Sequence, residues 1–188
     1  GVPVRPLGGG SNVLVRDGDI DAAVIRLHDV RHLHIEEPYV TVGAGYPFSS
    51  LLSRPCELCL GGLEALVGIP GTIGGAVAMN AGGKYGNLGP FVDRVLLFHP
   101  DGSSETRTRD RIDFQYRTAI LGDAIVAEVV LRLSPGDPDE LLARARAILG
   151  EKKASQPLNA RSVGCIFKNP AGSSAGRHID QAGLKGSR

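Results

Sequence analysis

The sequence predicts an α+β fold in two parts, residues 1–134 and 135–188, and three observations carry that expectation. Short β-type runs bounded by Gly, Pro and Asp fill the first part. A helical pattern opens only after Pro135-Gly136-Asp137-Pro138. Glycine is also dense: it makes up 26 of 188 residues, and ten of these lie between Gly61 and Gly89. That is about twice the usual share. Glycine is favoured where backbone takes a positive φ or closely approaches another group, so a cluster between apolar runs predicts a loop that binds through its backbone.

The remaining composition is that of an ordinary globular chain, 42% hydrophobic and 22% charged, long enough to bury a core. The glycines follow no three-residue period, which excludes collagen. A net charge of +1 gives no electrostatic ground for a nucleic-acid or anionic-membrane partner. No apolar run approaches the ~20 residues that span a bilayer, and the N-terminus lacks a signal pattern. Three cysteines, an odd number, argue against a disulfide framework. The cytoplasm is the expected compartment.

In chain order, residues 2–7 read as extended, followed by the loop Gly8-Gly9-Gly10-Ser11-Asn12 and a strand at Val13-Leu14-Val15. A second β-type run covers residues 22–27. Val40, Val42 and Ala44 alternate with Thr41 and Gly43, the period of a half-buried strand. Residues 48–52 form a short helix that Pro55 ends. Residues 91–99 and 125–133, rich in Val, Leu and Phe, are the clearest strands, and Pro100-Asp101-Gly102 is a turn. Asp137 is a good N-cap and Pro138 suits the first helical position. Leu141, Leu142, Ala145, Ile148 and Leu149 then recur at helical spacing up to Gly150. Residues 151–188 are loop-rich, with one apolar element at Ile166-Phe167.

The chemistry sits in two glycine loops. No P-loop pattern occurs, and Gly43-Ala44-Gly45 fails as a dinucleotide fingerprint because Phe48 takes the third glycine's place. Gly8, Gly9 and Gly10 with Ser11 and Asn12 offer consecutive backbone N–H groups plus a hydroxyl and an amide, a donor nest suited to a diphosphate. The second loop, Gly68-Ile69-Pro70-Gly71-Thr72-Ile73-Gly74-Gly75-Ala76, is apolar and suits a large uncharged ring, and Asn80-Ala81-Gly82-Gly83 extends it. Tight turns between strands are the plainer reading of either loop alone. Two loops of this density favour a ligand.

These loops, with Phe114-Gln115-Tyr116-Arg117, Gly164-Cys165-Ile166-Phe167-Lys168-Asn169-Pro170 and Ile179-Asp180-Gln181-Ala182-Gly183-Leu184-Lys185-Gly186, occur in the order found in the MurB family of UDP-N-acetylenolpyruvoylglucosamine reductases, which the chain resembles along nearly its whole length. The resemblance implies a FAD-binding domain of the vanillyl-alcohol-oxidase (PCMH) type, followed by a truncated α+β substrate domain. It implies an oxidoreductase with FAD as cofactor, NADPH as co-substrate and a UDP-sugar as substrate. FAD would be held by Gly8, Gly9, Gly10, Ser11, Asn12, Gly68, Pro70, Gly71, Thr72, Gly74, Gly75 and Asn80. Substrate would be held by Tyr116, Lys168 and Asn169.

The resemblance makes Arg117 and Cys165 catalytic. The planar guanidinium of Arg117 suits a carboxylate and the charge of an enolate. Cys165 stands where many relatives carry serine, as the proton donor, and a thiol is the stronger acid of the two. The plainer readings are a surface salt bridge for Arg117 and a small buried residue for Cys165. Gln156 and Arg161 are weaker candidates for pyrophosphate or substrate contact, on the reasoning applied to Lys168 and Asn169. The pattern departs from the family at Thr118-Ala119, where Tyr-Arg-x-Ser is common, and at Lys84, an extra charge near the ring loop. Relatives also carry a further N-terminal flavin-contacting segment and a C-terminal catalytic Glu, so the chain is expected to be a central fragment, acting as a monomer.

Other flavin oxidoreductases of the superfamily, and a noncatalytic flavin or sugar-nucleotide module, are the alternatives. Cys56-Glu57-Leu58-Cys59 lacks the further ligands of a zinc site, and Leu58 and Leu60 favour a buried, structural Cys59. No metal site is expected. His28, His32, His34, His99 and His178 read as solvated or core residues.

Overall fold

Val40 and Val42 alternate with polar neighbours, and the structure turns that alternation into the centre of a sheet. The computed structural model describes residues 1–57, 59–155 and 164–187, and the side chains of all of these except 53–57 and 155. It falls into two compact units, Gly1–Ala154 and Ser155–Arg188.

In the first unit, β1 (Val4–Leu7) and β2 (Ala23–Arg26) form a parallel pair. Strands β3 (Leu33–Glu36) and β4 (Tyr39–Gly43) follow, then helix α1 (Phe48–Glu57) and the short β5 (Leu60–Gly61). Helix α2 (Ile73–Ala78) precedes a small hairpin, β6 (Gly82–Gly83) and β7 (Gly86–Asn87). Next come β8 (Val92–Phe98), β9 (Ser104–Thr108), the hairpin β10 (Asp113–Gln115) and β11 (Thr118–Ile120), β12 (Ile125–Arg132), β13 (Ser134–Pro135) and helix α3 (Pro138–Ser155). The second unit contains α4 (Ala175–Gln181).

The main sheet has the order β3-β4-β12-β8-β9, with every neighbouring pair antiparallel. Val129 of β12 sits between Val42 and Val95, and all three are fully buried. Phe48 and Leu51 of α1, Ile73 and Val77 of α2, and Leu63 and Leu66 join the same core. Burying a Leu, Val or Phe side chain contributes about 1.5–3 kcal/mol each, so this cluster is the main source of the unit's stability. Helix α2 lies close to the sheet because Gly74 brings only hydrogen to Ala44, and its N–H donates to the Ala44 carbonyl at 2.9 Å.

Several sequence expectations change. Val13, Leu14 and Val15 form no strand and are exposed, Leu14 at 92%; the apolar run has no strand partner to satisfy its backbone. Helix α1 continues past Pro55 to Glu57. Strand β9, Ser-Glu-Thr-Arg-Thr, escaped sequence reading because it is an edge strand without an apolar run. Helix α3 is capped as expected, Asp137 Oδ1 accepting from Asp139 N–H at 2.9 Å and Glu140 N–H at 3.1 Å. It does not stop at Gly150, and runs on to Ser155. Its Leu141 and Ile148 are buried and the first unit extends to Ala154, whereas the sequence drew the boundary at residue 134. Ile166 and Phe167 lie exposed, outside any regular element, and α4 is the regular element of this region among the described residues.

Candidate functional site

The two glycine loops, some sixty residues apart in sequence, meet. A Cβ on Gly9 would stand 3.0 Å from Gly71 Cα, and one on Gly8 would collide with Thr72 Oγ1. Gly71 has φ of 107°, a conformation that L side chains rarely adopt, and a Cβ there would lie 2.7 Å from Ser11 Oγ. Glycine at these positions lets two backbones touch. Neighbouring contacts fix the arrangement. Phe48 N–H donates to the Gly71 carbonyl at 2.9 Å, and Asn12 Nδ2 donates to Met79 Sδ at 3.6 Å. Among the described residues, Thr72 Oγ1 is a buried side-chain oxygen with no hydrogen-bond partner. Buried polar atoms are seldom left so. A side-chain-free cradle over an unsatisfied hydroxyl, with exposed Ser11 and Asn12 at its edge, fits a phosphate-bearing cofactor with many acceptors.

The expected cofactor residues do not all face outward. Gly8, Gly9, Gly10, Ser11, Asn12, Gly68, Pro70 and Gly75 are exposed, Gly71 and Thr72 are half-buried, and Gly74 is buried against Ala44. Asn80 is 5% exposed. Its Nδ2 donates to the Gln115 carbonyl at 2.9 Å and its Oδ1 accepts from Gly89 N–H at 3.0 Å. Gly74 and Asn80 therefore build the walls behind the loop.

Gln115 leads into the turn that carries Tyr116 and Arg117. The strands on either side are closed by the pair Gln115 and Thr118. Arg117 has φ of 60°, a left-handed conformation that costs a non-glycine residue about 1 kcal/mol or more. Its guanidinium donates to the Gly82 carbonyl and stacks on Tyr116, 5.4 Å from the ring centroid. Half-buried Arg117 and exposed Tyr116 thus stand beside the extension of the second glycine loop. Arg109, which sequence reading passed over, grips the root of this hairpin. Its Nε donates to the Gly89 carbonyl at 2.8 Å, Nη1 to the Ile112 carbonyl at 3.2 Å, and its plane lies 4.8 Å from the Phe114 ring centroid. No spacing in the sequence marked it.

Helix α3 braces the segment before Gly68. Buried Glu64 accepts from Gly62 N–H at 2.7 Å and from Arg144 at 2.9 Å. Lys152 Nζ donates to the Val67 carbonyl at 2.5 Å, and burial pushes its pKa down. Tyr85 Oη donates to Glu151, and Lys84 Nζ reaches the same carboxylate at 3.1 Å. These two bonds hold the Glu151 carboxyl below its ordinary value. The extra charge at Lys84 is therefore tied to α3.

In the second unit, Cys165 and Lys168 are exposed, and Asn169 Oδ1 accepts from Ala175 N–H at 3.0 Å. Gln156 and Arg161 lie outside the described residues, as does the Cys56 side chain. Cys59 is exposed and not buried as expected, with φ of 58° turning it out of the apolar run. Four of the five histidines pair with carboxylates among the described residues: His28 with Asp29, His32 with Glu128, His34 with Glu36 and His99 with Glu105. Among the described residues no group of three or more His, Cys, Asp or Glu could hold a metal ion, and no helix is long and apolar enough to cross a membrane.

Residues 1–106 match the family described as FAD binding domain. Residues 156–188 match the family described as UDP-N-acetylenolpyruvoylglucosamine reductase, C-terminal domain. The chain is similar to the UDP-N-acetylenolpyruvoylglucosamine reductase of Anoxybacillus flavithermus, 40% identical over 98% of this chain and 63% of that protein. It is also similar to that of Nostoc punctiforme, 42% identical over 97% of this chain and 57% of that protein. It thus spans about three-fifths of the length of these relatives. The crystal structure of the MurB protein of Thermus caldophilus aligns with a TM-score of 0.88 at 38% identity, covering 99% of this chain and 68% of that one. Cholesterol oxidase from Brevibacterium sterolicum aligns at 0.53 with 21% identity over 71% of this chain and 30% of its own, a likeness of fold alone.

Proposed function

The chain belongs to the MurB family of UDP-N-acetylenolpyruvoylglucosamine reductases, and on that premise we propose that its gene product reduces UDP-N-acetylglucosamine enolpyruvate to UDP-N-acetylmuramate with NADPH. The observation that carries the reading is the likeness to the Thermus caldophilus protein over 99% of the chain. The glycine cradle over Thr72 Oγ1 supports it independently. Bound FAD supplies the two-electron carrier between NADPH and the enolpyruvyl double bond. Backbone N–H groups of Gly8, Gly9 and Gly10, with Ser11, Asn12 and Thr72, would hold its diphosphate. Gly68, Pro70, Gly71 and Gly75 would hold its ring system, and Gly74 and Asn80 support that loop from behind.

Arg117 binds the substrate carboxylate through its planar fork and offsets the negative charge that grows on the enolate as hydride arrives. Cys165 gives its thiol proton to the adjacent carbon, and water returns a proton to the thiolate. Tyr116 lines the substrate position, Lys168 meets the pyrophosphate as a point charge, and Asn169 completes the contact. Steady-state NADPH oxidation tests the assignment in the complete gene product. It should require the UDP-sugar enolpyruvate, and oxidation at the same rate without that substrate would contradict it.

A further inference from the structure

We propose that Arg109 is a positioning residue for Arg117, a role that rests on the substrate-binding function given to Arg117 above. One guanidinium ties the root of the β10–β11 hairpin, at the Ile112 carbonyl (3.2 Å) and the face of Phe114 (4.8 Å), to the Gly89 carbonyl of the segment before β8, at 2.8 Å. The tip of the same hairpin is held as well. Asn80 joins Gly89 N–H at 3.0 Å to the Gln115 carbonyl at 2.9 Å, one residue before Tyr116. Arg109 and Asn80 thus meet on Gly89 and clamp the hairpin at both ends.

In the turn just beyond the Asn80 contact, Arg117 keeps its left-handed backbone, φ 60°, and reaches back to the Gly82 carbonyl. A non-glycine residue persists in that conformation only when its surroundings over-determine it. Arg109 provides that constraint at the hairpin root. Only a planar, multidentate donor can serve two carbonyls and a ring face together, so lysine at this position keeps the charge and loses the clamp. The loop that bears Asn80 also carries Gly82, so the clamp fixes the distance between the ring-binding loop and the guanidinium of Arg117.

The test is a double-mutant cycle in the FAD-loaded complete gene product. Arg109→Gln should lower kcat/KM for the UDP-sugar by about 10- to 100-fold, the scale of a 1 Å misplacement. Flavin content and the rate of flavin reduction by NADPH should stay at wild-type values. Combined with Arg117→Ala, the substitution should add almost nothing, because both act through one group. Arg109→Lys keeps charge and length, gives a folded variant if the glutamine form fails, and should show the same fall. Wild-type kcat/KM in Arg109→Lys, or an Arg109→Gln effect that multiplies in full on Arg117→Ala, would overturn the positioning role while leaving the function of Arg117 intact. Wild-type turnover in Arg117→Ala alone would instead remove the reading on which the role rests.

Discussion

Replacing Gly71 by alanine should loosen the cofactor cradle more than it unfolds the protein. Two costs follow from the structure. The backbone at φ 107° is a region that L residues rarely adopt, and holding alanine in such a conformation costs about 1–3 kcal/mol. The new Cβ would also lie 2.7 Å from Ser11 Oγ, forcing Ser11 to turn away from the loop. At about 1.4 kcal/mol per tenfold, strain borne by the cradle weakens FAD binding roughly 5- to 150-fold.

If the strain instead spreads through the hydrogen bond from Phe48 to the Gly71 carbonyl, it appears as a fall in Tm of at most about 12 °C. Titrating FAD against protein fluorescence gives the first quantity, and thermal unfolding followed by circular dichroism gives the second. Gly102→Ala is the control. It too has a positive φ, 86°, but it sits in the β8–β9 turn with nothing within 4 Å of an added Cβ. That variant should lose stability and keep its Kd for FAD. A folded Gly71→Ala protein that binds FAD with wild-type affinity would refute the cradle.

Two further outcomes are expected. Cys165→Ala should leave flavin reduction by NADPH unchanged and suppress reduction of the enolpyruvate, while Cys165→Ser retains part of it; normal turnover in the alanine variant would remove the thiol from the mechanism. Glu151 has its carboxyl held below the ordinary 4.5, first by Tyr85 and then by Lys84. Its ionised form is thus favoured by folding, and the contribution is present above about pH 4.5 and lost as pH falls through the lowered value. Tm measured from pH 3 to 6 should therefore converge between wild type and Glu151→Gln at the acid end, and a difference independent of pH would show that the tie to Tyr85 and Lys84 does not stabilise the fold.

What the sequence disclosed was local chemistry. Gly8 to Gly10 and Gly68 to Gly75 were legible as backbone-built loops from density alone, and Val40, Val42 and Ala44 as a buried face from their period. The resemblance supplied the roles of Arg117 and Cys165. What stayed hidden was long-range. Nothing in residues 8–12 announces contact with Gly71 and Thr72, because a close approach between backbones leaves no side-chain pattern. Asn80 read as a loop amide open to a ligand, yet it is 5% exposed and bonded to two backbone groups. Arg109 is one charge among several in Arg107-Thr108-Arg109-Asp110-Arg111, and no spacing singles it out. Helix α3 carries good capping signals, but capping says where a helix starts and not which unit it packs on. Its burial of Leu141 and Ile148 and the bonds of Arg144 and Lys152 to the segment before Gly68 decide that.

The most direct test of the central claim is a single turnover followed by flavin absorbance. The complete gene product, purified with its FAD, is bleached with NADPH in the absence of oxygen and then mixed with UDP-N-acetylglucosamine enolpyruvate. The absorbance should return as UDP-N-acetylmuramate forms. A colourless protein, or a bleached flavin that the enolpyruvate leaves unchanged, would contradict the account.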